Sequence, residues 1–409
     1  MTLKIINDKK LLENFLSLIV LNVVNYIFPI IIIPILILRL GVEIYGKYIF
    51  AFTILSYLSS VVQYGFNFSA TNKIAKNQNN KNIISDTYTS VTIIRIIFSV
   101  FFVVGLFILL PFFKDLIPIY LFGIGIFLGQ GLIPIWLFQG LEKMKYITII
   151  NALIRSFSFL LIIVFIKNKN DLNMLMSVQS LSFIIGSIIS FFLVKYQLKV
   201  YLVIPKRSSL YENLREGWSM FLSTIGMNMY RESNIVILGL VSGYSVLGLY
   251  SPAEKLIKGI QSFTNTIVTA LYPHFSKKIA IDECTGKIEF FKLGRLLALV
   301  FLIVSLVVFF SASYIIRLYL GKGFLSTIVD LRILSLIIFL GGLNYYYGIV
   351  GMVNFGMQTL FNRLVWLSGL VGMFSSLVLS YYFKDIGASV AMCFAELVLL
   401  FFITKNLKK

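Results

Sequence analysis

The sequence is nearly without histidine and cysteine: one His and two Cys in 409 residues. A lone His274 makes neither a metal site nor a catalytic dyad. Cys284 and Cys393 show no CxxC or Cys/His spacing, which argues against a disulfide or a bound metal. Charge is scarce too, at 13%, against about 25% in soluble domains. No polar stretch between apolar runs is long enough for a separate soluble domain. No cleavable leader is expected, because the first apolar run far exceeds a signal core of about 7–15 residues.

What is present is apolar. Hydrophobic residues make up 58% of the chain, Phe alone numbers 38, and mean hydropathy is +0.91. A soluble core cannot absorb that much apolar surface, because every soluble domain needs a polar exterior. Lipid is the expected solvent.

A membrane-spanning helix takes about 20 mostly apolar residues. About twelve such runs are predicted, over 14–38, 48–68, 88–110, 117–138, 147–166, 173–194, 217–240, 248–272, 293–316, 327–350, 360–381 and 386–404. The reading is an all-α polytopic membrane protein. Its lysines and arginines gather in alternate loops: Lys4, Lys9 and Lys10; Lys73, Lys76 and Lys81; Lys143 and Lys145; the stretches 195–215 and 277–295; Arg363; and the C-terminal Lys405, Lys408 and Lys409. These far outnumber the basic residues of the intervening loops, which places both termini in the cytoplasm. The net charge of +19 is thus spread along one membrane face, where it meets anionic headgroups, and is not a nucleic-acid patch.

YGKYIFAFTIL (45–55) aligns with LGLYSPAEKLI (247–257), matching Gly46 with Gly248, Tyr48 with Tyr250 and Ala51 with Ala253. KIA follows each, at 73–75 and 278–280. A parallel duplication of six helices would produce this pattern, with one lobe over 1–200 and the other over 201–409.

Arg95, Arg155, Arg231, Glu232, Glu254, Lys255, Lys258 and Glu396 fall inside predicted spans. Each costs about 2.5–3.5 kcal/mol to insert, which passive anchor helices would not keep. Arg231 and Lys258 lie at matched depths of about 14–15 Å on consecutive antiparallel helices, and Arg155 lies about 14 Å in from the cytoplasmic side. These three are the candidate cations for an anionic cargo. Glu232, Glu254 and Glu396 are candidates for coupling to H⁺ or Na⁺, or for lining a cavity. Glu254 and Lys258, spaced i,i+4, can pair on one helix face. Arg95 and Lys255 are secondary cations: Arg95 is near enough to the surface to snorkel, and Glu254 and Lys255 are near enough to a span end to be interfacial. Pro29, Pro34 and Pro134 interrupt spans and are expected to bend them. No metal site, resident cofactor or catalytic group is expected.

Three stretches carry a family resemblance. PIWLFQGLEKMKYITIIN (134–151) resembles a motif of the polysaccharide flippases, the O-antigen and repeat-unit translocases, through Pro134, Trp136, Phe138, Gln139, Gly140, Glu142, Lys143 and Met144. LRLGVEIYGKYIFA (38–51) with QYGFNFSATNKIA (63–75) resembles a second, with Gln63 where relatives often carry an acid. LGLYSPAEKLIKG (247–259) with ALYPHFSKKIA (270–280) resembles a third. The superfamily also contains multidrug exporters. The resemblance implies twelve helices in two six-helix lobes around a central cavity, in the bacterial inner membrane. It further implies alternating access and a polyprenyl-pyrophosphate-linked oligosaccharide moved from the cytoplasmic to the periplasmic leaflet. A polysaccharide polymerase and a chain-length regulator are the partners it suggests. An ion-coupled drug exporter on the same fold is the first alternative, though it calls for an acidic cavity. A membrane polymerase or ligase is the second, though no reactive constellation or large outer loop supports an enzyme.

Overall fold

The computed structural model describes residues 2–109 and 116–407; side chains at 1–16, 219, 223, 226–231 and a few other positions lie outside the description. Among the described residues the regular structure is helical, without strands. The helices are α1 (Thr2–Leu40), α2 (Val42–Gln63), α3 (Phe66–Lys76), α4 (Lys81–Leu109), α5 (Ile117–Leu132), α6 (Ile135–Gly140), α7 (Met144–Phe165), α8 (Leu172–Phe192), α9 (Arg207–Val241), α10 (Tyr244–Ile281), α11 (Glu283–Leu320), α12 (Leu325–Tyr345) and α13 (Gln358–Leu407). An all-helical answer is what lipid requires, since a helix pairs its backbone groups within itself.

Among the described residues, nine stretches are long and apolar enough to cross a membrane. They exclude α9, part of which lies outside the described residues, and α10, whose apolar character is broken by Glu254, Lys255 and Lys258. They take α13 as one stretch of 50 residues, although Lys384 (φ 53°, ψ −128°) breaks it where the sequence separates 360–381 from 386–404.

The chain forms two compact units, Met1–Phe28 with Ala51–Ile225, and Pro29–Phe50 with Gly226–Lys409. Each draws on two stretches of chain. The changeover in α1 falls at Pro29, yet α1 is helical through both Pro29 and Pro34.

In the first unit α5 and α8 lie close together. A Cβ at Gly129 would come within 2.6 Å of Phe183 backbone oxygen, and Ser180 Oγ donates to the Phe122 carbonyl at 2.5 Å. Small residues let helices approach where lipid offers no hydrophobic drive between them. Outward positions such as Phe101 and Leu160 stay exposed, as a lipid-facing surface demands.

In the second unit α12 runs through the core, burying Asp330, Leu334, Ser335, Ile338 and Asn344. Beyond it, a π-helical turn over Tyr346–Met352 enters an aromatic cluster in which Tyr346 stacks on Phe290 at 4.7 Å between ring centroids.

Candidate functional site

Two helix breaks shape the first unit. Pro134 (φ −84°, ψ 62°) centres an inverse γ-turn between α5 and α6, closed by Ile135 N–H donating to the Ile133 carbonyl at 2.9 Å. Tyr64 and Gly65, both at positive φ, separate α2 from α3. Arg95 on α4 ties the two breaks together. It donates from Nη1 to the Ile133 carbonyl at 3.2 Å and from Nη2 to Asn67 Oδ1 at 3.4 Å, and its guanidinium lies over the Phe66 ring. At 2% exposure it does not snorkel to the surface. It points inward because breaks in the helices free carbonyls that need donors. The Asn67 amide continues the network by donating to Gln63 Oε1 at 2.6 Å.

The tryptophan-containing motif is part of the same packing. Trp136, Phe138 and Gly140 are buried in α6, and α3 meets them through Thr71 Oγ1 to the Trp136 carbonyl at 3.2 Å. Gln78 closes the loop by donating to the Gly140 carbonyl at 2.9 Å. Arg155 is half-buried on α7. In the stretch where α9 begins, Lys73 pairs with Glu212 at 3.2 Å.

In the second unit the structure brings three of the candidate residues together. Lys258 Nζ lies 3.0 Å from Glu254 Oε1, one helical turn away on α10. It lies 3.3 Å from Glu232 Oε1 on α9. The side chains are 1%, 16% and 36% exposed for Glu254, Lys258 and Glu232. Glu254 is therefore a core residue and not an interfacial one. Arg231 precedes Glu232 on α9, and its side chain lies outside the described residues. Lys255 is half-buried on α10.

Glu396 occupies a separate place. It is 7% exposed on α13, and Asn344 of α12 donates to its Oε2 at 2.6 Å and to its backbone carbonyl at 2.8 Å. Gln261 of α10 reaches the same region, donating to the Ile337 carbonyl at 3.3 Å.

Sequence reasoning passed over four polar residues in this core. Asp330 on α12 is fully buried, and Ser389 donates to its Oδ1 at 2.8 Å. It lies three residues inside the apolar run 327–350, where a carboxylate is itself a signal. Asn234 donates to Tyr250 Oη at 2.7 Å and to the Ala388 carbonyl at 3.2 Å. Tyr45 and Tyr250, both fully buried, are lost among 22 tyrosines and carry no sequence signal that separates them from packing residues.

Comparisons with known proteins agree with this architecture. A family model described as polysaccharide biosynthesis protein matches residues 11–278. The "Putative O-antigen transporter" of Escherichia coli (strain K12) is 28% identical over 408 residues, covering 98% of each chain. The protein of the same name from Shigella dysenteriae is 25% identical over 398 residues, covering 97% of this chain and 100% of its own. Among solved structures, the lipid II flippase MurJ in an inward closed conformation superposes with a TM-score of 0.69 at 15% identity, covering 97% of this chain and 88% of MurJ. An inward-facing MATE family multidrug resistance transporter of the MOP superfamily gives 0.66 at 12% identity, covering 90% of this chain and 93% of that one. These two show the fold.

Proposed function

The chain belongs to the polysaccharide biosynthesis protein family, and from that premise we propose that it flips a polyprenyl-pyrophosphate-linked oligosaccharide repeat unit across the bacterial inner membrane by alternating access. It is a transporter and not an enzyme; its near full-length relatives carry transporter names. The cargo joins a sugar chain and two phosphates to a lipid tail. The tail is at home in lipid, while the headgroup needs a polar passage with cations for its phosphate oxygens.

One observation supports this reading above others: three ionisable side chains inside the helices turn into their units and away from the exposed Phe, Leu and Ile surface. Arg95, Glu254 and Glu396 are 2%, 1% and 7% exposed. Each unit supplies a proposed phosphate contact of its own, Arg155 in the first, and Arg231 and Lys258 in the second. Both termini are proposed to lie in the cytoplasm, following the basic loops.

Lys258 is already held by two carboxylates, and this favours a second reading, a cation exporter on the same fold. The two diverge in a strain lacking its own repeat-unit flippase. Restoration of surface polysaccharide by the wild-type gene, and its loss in the combined Arg155→Ala, Arg231→Ala, Lys258→Ala variant, is expected. Restoration equal to wild type by that variant would refute the cation assignment.

A further inference from the structure

Four buried oxygens at one end of the second unit stand out because no hydrogen bond holds them among the described residues: Tyr45 Oη, Ser251 Oγ, Tyr319 Oη and Glu254 Oε2. Tyr45 and Ser251 are fully buried and Glu254 is 1% exposed. They come from three helices. Tyr45 lies near the start of α2, Tyr319 near the end of α11, and Ser251 and Glu254 about two and three turns into α10. The Tyr45 hydroxyl has Ser251 beside it, with Tyr319, Tyr48 and Glu254 in its neighbourhood. Three buried hydroxyls thus share the neighbourhood of a sealed carboxylate, whose other oxygen pairs with Lys258 at 3.0 Å.

A hydroxyl both donates and accepts. One that is not locked into a fixed bond can turn, take a proton on one side and release one on the other. Leaving a buried polar atom unpaired is unfavourable, so four at one place call for a ligand that they serve. A carboxylate sealed from water and linked to the unit's end by turning hydroxyls fits a proton. Protonated, Glu254 has no charge with which to hold Lys258; the ammonium loses one carboxylate tie, keeps Glu232, which is 36% exposed, and attracts an approaching anion more strongly.

We propose that Glu254 is a proton-binding site of this protein, reached through Tyr319, Tyr45 and Ser251, and that the proton exchanges with an anionic group for possession of Lys258. The exchange rests on the reading of Lys258 as a phosphate contact; the proton site does not. Among the described residues, the charged and titratable groups around Glu254 include Lys258 and Tyr250 on its own helix, Glu232 on α9, Tyr45 on α2 and Tyr319 on α11. Beyond Tyr250 lie Asp330 on α12 and Cys393 on α13.

The test uses the purified full-length protein in detergent, without cargo. After an acid jump, proton uptake is followed with an indicator dye, and the infrared carbonyl band of a protonated carboxylic acid is recorded. Wild type is expected to show both; Glu254→Gln is expected to lose one proton per chain and that band. Tyr45→Phe is expected to keep the band but take up the proton several-fold more slowly, which a merely structural tyrosine would not do. Should Glu254→Gln not fold, Tyr45→Phe and Ser251→Ala carry the test by the same rates. Unchanged uptake and band in Glu254→Gln, unchanged rates in the hydroxyl variants, or uptake that requires Na⁺ would each overturn the site. The exchange is read separately, from binding of inorganic pyrophosphate at low and high pH. Tighter binding at low pH in wild type, lost in Lys258→Met, is expected. Binding indifferent to Lys258 would overturn the cargo role of Lys258 and leave the proton site standing.

Discussion

Gly46 and Gly248 hold equivalent places against each other's helix. A Cβ on Gly46 would run into the Tyr244 carbonyl oxygen, and one on Gly248 into the Val42 carbonyl oxygen. Each glycine therefore lies on the backbone four residues before the other. These are also the residues matched by the internal alignment at 45–55 and 247–257, so the reciprocity is of the kind an internal duplication produces.

Valine at either glycine is expected to lower stability, because two helix backbones in contact leave a side chain no route of escape. Overpacking of this kind costs about 1–3 kcal/mol, and backbone contact places these sites at the upper end. The thermal midpoint of the detergent-solubilised protein measures it. Gly105→Ala is the control, since a Cβ there meets nothing within 4 Å; equal midpoints for Gly105→Ala and Gly46→Val would contradict the close approach.

Arg95→Met is expected to loosen the first unit. It takes the arginine donor from the Ile133 carbonyl, which keeps the Ile135 N–H, and from Asn67 Oδ1, where losing the partner costs about 1–3 kcal/mol. Arg95→Lys should recover only part, since an ammonium lacks the fork that reaches both. Protease sensitivity near residues 63–66 and 133–135 reports the effect. Full resistance in Arg95→Met would show that the breaks hold themselves.

Lys258→Met strands Glu254 as a buried carboxylate, and breaking a buried pair costs about 3–5 kcal/mol. The link to Glu232 adds little, since that residue is partly exposed. Adding Glu254→Gln should restore most of the loss. A double-mutant cycle on thermal unfolding measures the coupling, and strictly additive effects would contradict the pairing.

Asn344→Leu removes two donors to Glu396, one at its carboxylate and one at its carbonyl. A loss of about 1–3 kcal/mol is expected, whereas Glu396→Gln should be milder because an amide oxygen still accepts. Thermal midpoints order the two variants, and the reverse order would show that Asn344 is not the group that settles Glu396.

Much of the architecture was legible because lipid imposes a simple rule: long apolar runs become helices. The break before 386–404 and the interruption at Pro134 could be read in the same way. The i,i+4 pair of Glu254 and Lys258 followed from helical spacing alone. The arrangement of the compact units could not be read so directly, since α1 stays helical through Pro29, where the changeover falls, and a proline that leaves the helix intact does not announce it. Arg95 looked able to reach headgroups because depth along a span says nothing about which way a side chain turns. Asp330 could have been found from its place in an apolar run. Tyr45 and Tyr319 could not, because only their convergence with Ser251 and Glu254 from separate helices distinguishes them.

Transport itself decides the account. The measurement is the movement of a labelled polyprenyl-pyrophosphate oligosaccharide between leaflets of proteoliposomes holding the purified protein. The wild type is expected to bring the labelled headgroup to the opposite leaflet faster than empty vesicles, and the Arg155→Ala, Arg231→Ala, Lys258→Ala variant to fall to the empty-vesicle rate. Wild-type vesicles no faster than empty ones, with the protein folded in the bilayer, would contradict the claim that lipid-linked glycan is the cargo.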